Sequence, residues 1–285
     1  MTTTRRGQRT RRVGAVIRFT VVIAAAGLVF LPVYVSMLSA FTQGGTIARN
    51  GLIPSLGEVI LDNFRQAIDA VPLLPEYLVS IAVVTVQTLG NLITGSLAAY
   101  ALVFPTWPGR RIAFALVLLT LAIPGEALVI PNYEFVSGLG LRDTIIGVVL
   151  PYLAMGYPIF LLRQAFSAVP TELWEAARLD GAGHLRTLFT IIVPACRPQV
   201  TTAIVWSALA AWNGFFWPLL ITDSAVARTI QVGVSQLAAS EASEPSVIFA
   251  GAVLVVLPTV ALVIVAQRFL VNGLARGGVL LRDVG

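Results

Sequence analysis

The sequence predicts an all-α polytopic membrane protein with six transmembrane helices. Three observations carry this reading: an apolar composition, six long stretches almost free of charge, and an arginine distribution that alternates with them. Of 285 residues, 57% are hydrophobic and only 12% are charged, with a mean hydropathy of +0.86. Soluble domains carry about 25% charged residues, so a bilayer is the solvent that suits this chain. A hydrocarbon core about 30 Å thick takes roughly 20 residues of helix at about 1.5 Å each.

Six stretches meet that length. The first span is expected over 17–41, after a basic tail at 1–16, and its core reads VVIAAAGLVFLPVYVSMLSAF. An outer segment over 42–76 leads to a permeation core over 77–270. Within it, spans are expected near 78–104, 112–135, 144–163, 198–222 and 245–267, and a tail follows at 271–285. The turn-rich FPTWPGRR separates the second and third spans. The third is the weakest, because Glu126 lies inside it and Pro124, Gly125 and Pro131 interrupt its helical pattern. Proline and glycine do not exclude a span, since neighbouring helices can satisfy freed backbone groups.

Sidedness follows from the arginines. Fifteen of the 19 fall before or at the start of span one, after span two, around the loop after span four, or after span six. Arg49, Arg65, Arg142 and Arg228 fall on the other side. Both termini are therefore expected in the cytoplasm of a bacterial plasma membrane. A cleaved signal peptide is the competing reading of the first segment, but the apolar run exceeds the 7–15 residues of a signal core. The basic tail suits anionic lipid rather than nucleic acid.

Several chemistries are excluded. All basic residues are arginine, so the formal charge of +5 contains no lysine. A P-loop needs a lysine on the nucleotide phosphates, so energy from ATP would have to come from a partner. Cys196 is the sole cysteine and His184 the sole histidine. A Ser/His/Asp triad would need His184 itself, and a two-histidine metal site has no second member. His184 reads as a solvated or hydrogen-bonded loop residue. Neither a metal nor a cofactor is expected, and the chain is not expected to be an enzyme.

The segment SAVPTELWEAARLDGAGHLRTLFTIIVPACRP, over 167–198, is the most informative. A short helix is expected to begin near Pro170 or Thr171, with Glu172 and Glu175 placed where the helix dipole favours acids. Gly181 is expected to close it. Leu173, Ala176, Ala177 and Asp180 share one face at helical spacing, and the paired alanines would admit another protein surface closely. Docking and an ordinary connector both remain open on this ground alone.

Glu175-Ala176-Ala177, three residues, Gly181, nine residues, Ile191, one residue, then Val193-Pro194 resembles the EAA loop of ABC importer permeases; Val193 stands where leucine is usual. IPNYEFVSGLGLRDTIIGVVLPY, WNGFFWPLL and AGAVLVVLPT are similar to the carbohydrate-uptake branch of that binding-protein-dependent family, in particular its maltose-type second permease subunit. The resemblance extends over roughly residues 75–270 and implies the type I ABC importer permease fold. It also implies a second permease subunit, two cytoplasmic ATPase subunits and an extracytoplasmic solute-binding protein as partners. A sugar or oligosaccharide is the implied cargo. Glu175, Ala176, Ala177, Asp180, Gly181, Ile191 and Pro194 are the implied ATPase-docking positions.

Sugar rings stack on aromatic faces and amides satisfy hydroxyls. Gln87, Asn91, Asn132, Tyr133, Trp212 and Asn213 are therefore candidate pathway residues, together with Glu126, read as the one ionisable group well inside a span. Each also has a plain role open to it: tryptophan and tyrosine anchor spans at interfaces, asparagine bonds neighbouring helices, and Glu126 can be exposed at an interface or paired with another helix at the Pro124-Gly125 bend. Gly95 and Ala99 form a small-xxx-small pair suited to helix packing.

Overall fold

The computed structural model describes residues 4–44, 59–239 and 244–277. The tail beyond Gly277 lies outside the described residues, as do Arg49 and Arg282. The described residues are helical and contain no strand. They group into two compact units, residues 1–71 with 237–254 and residues 72–236 with 255–285.

In the first unit, α1 runs over Thr4–Ala40, so the basic tail continues the helix of span one instead of preceding it. Within the segment expected over 42–76, the described residues include α2 at Asp62–Ala70. The Asn63 amide donates to the carbonyls of Ala40 and Thr42 at 3.0 and 2.8 Å, closing the end of α1. The rings of Phe41 and Phe64 pack 4.8 Å apart beside it.

The second unit is built on α3, Leu73–Val103, which starts five residues before the expected second span and takes in Glu76. Around it stand α4 (Arg110–Ala122), α5 (Val129–Gly138), α6 (Ile145–Val149) and α7 (Gly156–Ser167). The later elements are α8 (Thr171–Leu179), α9 (His184–Ala195), α10 (Arg197–Trp212), α11 (Phe216–Ile221), α12 (Ile230–Ala239) and α13 (Pro245–Gly277). α3 packs chiefly on α7 and α10. Gly95 lies against Pro158, Ile159 and Leu162 of α7, where an added Cβ would come within 3.3 Å of Leu162. Two cores form along α3. One gathers Val79, Val83, Val136, Val148, Trp217 and Ile221; the other gathers Tyr100, Phe104, Leu162, Phe166, Leu188 and Ile192.

Among the described residues, three helices are long and apolar enough to cross a membrane unbroken: Ile17–Ala40, Leu73–Val103 and Pro245–Ile264. Three further pairs qualify only as bent spans, giving up to six in all. Arg110–Ala122 with Gly125–Gly138 bends by 100°, Ile145–Tyr152 with Gly156–Ser167 by 47°, and His184–Ala195 with Arg197–Trp212 by 91°. The first bend has a direct cause. Ile123 is extended at φ −88°, ψ 120°, as a residue before proline prefers, and Pro124 offers no N–H to continue the helix. The fifth span, expected as continuous over 198–222, is interrupted after Trp212 at Asn213–Phe215, and α11 follows.

Broken backbone needs partners in an apolar solvent. At the α6–α7 break, Thr94 of α3 donates its hydroxyl to the Leu153 carbonyl at 2.9 Å, and Asn91 Oδ1 accepts the Met155 N–H at 3.0 Å. The turns before α6 and after α11 are joined similarly. Asp143, in a left-handed conformation at φ 54°, accepts the backbone N–H groups of Asp223 and Ser224, each at 2.9 Å.

Candidate functional site

Three of the chain breaks of the second unit meet at one cavity of about 380 Å³, the bend at Cys196 lying elsewhere. Gly125 and Glu126 come from the turn after Pro124, Met155 from the α6–α7 break, and Asn213, Gly214 and Phe215 from the break after α10. The unbroken α3 supplies Val83 and Gln87 opposite them, and Tyr152, Phe216 and Trp217 add aromatic wall. Non-helical backbone at membrane depth is tolerated where it lines a cavity, and this volume lies within the roughly 300–1,000 Å³ of small-molecule sites. Trp217 is held by its indole N–H, which donates to the Val148 carbonyl at 3.1 Å. Glu126 is the one charged residue in the lining.

Of the seven residues expected along a pathway, Gln87, Glu126 and Asn213 line this cavity. The others go elsewhere. Asn91 is fully buried, and its carbonyl oxygen serves the Met155 N–H, as described above. Tyr133 packs on the Val136–Val148 core with the Arg142 guanidinium 5.3 Å over its ring, and Asn132 is half-buried beside it on α5. Trp212 faces a separate apolar cavity of about 200 Å³ shared with Pro258 and Leu262. Its indole N–H donates to the Val255 carbonyl at 3.3 Å. Trp212 and Asn213 are adjacent in sequence, but the helix ends between them and their side chains part.

Sequence reasoning missed Tyr152, Met155, Phe215, Phe216 and Trp217 as lining residues. It also missed the buried charge. Glu126 is exposed on its turn, whereas Glu76, placed by the sequence in a loop, is wholly buried in the first turn of α3. Arg228 Nη1 stands 3.9 Å from its carboxylate, and Ser80 next to it accepts the N–H of Ile230 through its hydroxyl oxygen at 2.8 Å. The available signal was that Glu76 directly precedes an uncharged run and has one arginine to meet from the segment before α12.

The loop over 167–198 folds as a helix, a glycine closure and a second helix. α8 starts at Thr171 and ends in a Schellman motif: the Gly181 N–H donates to Arg178 O at 3.1 Å and the Ala182 N–H to Ala177 O at 2.9 Å. Gly181 takes φ +77° there. Glu175, Ala176, Asp180 and Gly181 are exposed, and Leu179 is 88% exposed. Ala177 is buried against its own chain, so the alanine pair splits between two faces instead of presenting one. Ile191 and Pro194 are half-buried on α9, Ile191 packing on the core beneath. Leu188–Ile192 forms a π-helical segment within α9.

His184 does not stand alone. Its Nδ1 lies 3.0 Å from the Tyr100 hydroxyl, to which the Trp174 indole N–H also donates at 2.8 Å. No cluster of three or more potential metal ligands occurs among the described residues.

Apolar helices crossing a bilayer, chain breaks gathered at a central cavity and an exposed helix on the loop side define a membrane permease. The family model for the binding-protein-dependent transport system inner membrane component matches residues 91–276. The sn-glycerol-3-phosphate transport system permease protein UgpE of Brucella suis biovar 1 (strain 1330) is 30% identical over 273 residues, covering 93% of this chain and 97% of that protein. The UgpE protein of Yersinia enterocolitica serotype O:8 is 34% identical over 189 residues, covering 66% of this chain and 67% of that protein. A chain of a bacterial ABC transporter involved in import of the acidic polysaccharide alginate has the same fold, with a TM-score of 0.81, 21% identity, and coverage of 91% of this chain and 97% of that one. A chain of the inward-facing MetNI methionine ABC transporter matches at a TM-score of 0.53 and 17% identity, covering 70% of this chain and 95% of that one. The chain belongs to the binding-protein-dependent transport system inner membrane components. It is the permease subunit of an ABC importer, with the type I importer permease fold.

Proposed function

We propose that this permease passes an uncharged sugar or oligosaccharide through the cavity where three chain breaks meet. The cavity carries the reading: amides of Gln87 and Asn213 suit hydroxyl groups, and Tyr152 and Trp217 offer ring faces for a sugar to pack against. A second reading, a phosphate ester, is favoured by the UgpE relatives, which belong to sn-glycerol-3-phosphate transport systems. Charge in the lining disfavours it, since Glu126 brings a carboxylate and no arginine lines the cavity. One negative charge held about 4 Å from that carboxylate would be repelled by about 4 kcal/mol at an effective dielectric near 20.

On this reading the chain has no ATPase site of its own, consistent with its lack of lysine. Two cytoplasmic ATPase subunits drive it, α8 docking one of them through Glu175, Ala176, Asp180 and Gly181. Ala177, Ile191 and Pro194 support that helix from below. A second permease subunit completes the pore, a binding protein delivers cargo from outside, and both termini face the cytoplasm.

The test is ATP hydrolysis by the reconstituted transporter with its binding protein, measured with maltose, an uncharged disaccharide, and separately with sn-glycerol 3-phosphate. Stimulation by the disaccharide alone supports the proposal. Stimulation by the phosphate ester alone, still present in Glu126→Gln, would assign the cargo to the other class.

A further inference from the structure

We propose that Tyr100 is the positioning residue that makes the docking loop and α3 move together. This rests on the docking role proposed for α8. The Tyr100 hydroxyl sits at the inner core, on a residue only 5% exposed, three residues before the end of α3. It meets two separate elements of the loop: Trp174 in the middle of α8 and His184 at the start of α9.

The donor inventory fixes one of the two bonds. Indole N–H can only donate, so the hydroxyl oxygen accepts from Trp174. With the His184 proton on Nε2 the hydroxyl donates to Nδ1, and with it on Nδ1 the ring donates to the hydroxyl oxygen. A hydroxyl, which donates once and accepts twice, serves both bonds with either tautomer.

Stacking holds the same three elements in register. The Trp174 ring lies over Phe104 with centroids 6.0 Å apart and planes 15° from parallel. Tyr100 packs on Phe104 at 5.3 Å and meets His184 edge-on at 5.8 Å. Trp174 and Ala177 form the seated face of α8, which leaves Glu175, Ala176 and Asp180 outward. The rings bring α8 to the end of α3. The hydroxyl directs it, because hydrogen bonds are angular where ring packing is not.

A displacement of α8 by a partner therefore reaches α3 through the packed rings, with its direction set by one oxygen atom. Tyr100→Phe keeps the ring and its packing and removes only the two hydrogen bonds. The measurement is cargo moved per ATP hydrolysed by the complete transporter in proteoliposomes, alongside recovery of the ATPase subunit with a tag on this chain. Tyr100→Phe should recover ATPase as wild type does, hydrolyse ATP, and move roughly two- to tenfold less cargo per ATP, the range set by losing neutral hydrogen bonds. His184→Gln, which keeps an acceptor, should stay closer to wild type than His184→Leu.

An unchanged ratio in Tyr100→Phe would overturn the proposal. So would loss of ATPase recovery in that variant, because the hydroxyl would then be shaping the docking surface instead of transmitting its movement. Failure of wild-type chain to recover any ATPase would instead remove the docking reading beneath it.

Discussion

Glu76 is the residue whose environment departs furthest from what its neighbours in sequence suggest. Its carboxylate is fully buried beside Arg228, whose side chain is 17% exposed, and it fills the space over Gly233 that a Cβ would need. Removing one partner of a buried pair leaves the other charge uncompensated, typically at about 3–5 kcal/mol, whereas replacing both by apolar groups is often neutral. Arg228→Met should thus lower the melting temperature of the detergent-solubilised protein well beyond Glu76→Leu/Arg228→Met; equal losses would show that the pair does not act as a pair. Asp143 has the opposite character, half-exposed and fully hydrogen-bonded. The Ser224 hydroxyl and N–H, with the N–H of Asp223, hold its carboxyl below the usual carboxylate range. A carboxyl depressed on folding contributes stability above its unfolded value of about 3.9 and loses it as pH falls through the folded value. Stability should therefore decline below about pH 4 in wild type and less steeply there in Asp143→Asn, read as thermal melts across that range. The positive charges around spans could be counted from sequence, but the burial of Glu76 could not, because it depends on where Arg228 returns from 152 residues away.

At the scale of elements, α8 was legible almost to its boundaries. Pro170 at its start and Gly181 after its end are local signals that act through their own backbone angles. A left-handed conformation costs an ordinary L-residue about 1–2 kcal/mol, and asparagine less. Gly181→Val should fray α8 and reduce recovery of ATPase subunits in pull-downs, while Gly181→Asn should retain most of it; equal recovery from both would remove the closure from the account of docking. The faces of the membrane helices were far less legible. In water an apolar stripe marks the buried side of a helix, but lipid tails are as apolar as leucine and erase that contrast. Asn91 and Gln87 are one turn apart on α3, yet one secures a backbone break and the other lines the cavity. The interruption at Asn213 resets the helical phase, so Trp212 and Asn213 could not be assigned to different surfaces by counting residues.

For the whole molecule, six apolar stretches and their alternation with arginine sufficed for the fold class, because the thickness of a bilayer limits segment length directly. They did not disclose that three of the six are bent, nor that two of those bends and the break after Trp212 share one cavity. Proline and glycine mark where a helix can break; convergence of breaks is a property of packing between segments distant in the chain. Topology can be checked at this scale. Reporters fused at either terminus should both be active only if they are of the kind that works in the cytoplasm, and activity of an externally working reporter at either end would reverse the arginine argument.

Amid so many interrupted helices, α3 is continuous for 31 residues, a rod of about 46 Å. Glu76 stands near one tip and Tyr100 near the other. A rod of that length, pivoted near its middle by roughly 5°, would carry each tip about 2 Å in opposite directions. On the coupling proposed for Tyr100, a push received at that end would reappear at the Glu76 end with its sign reversed, as on a seesaw.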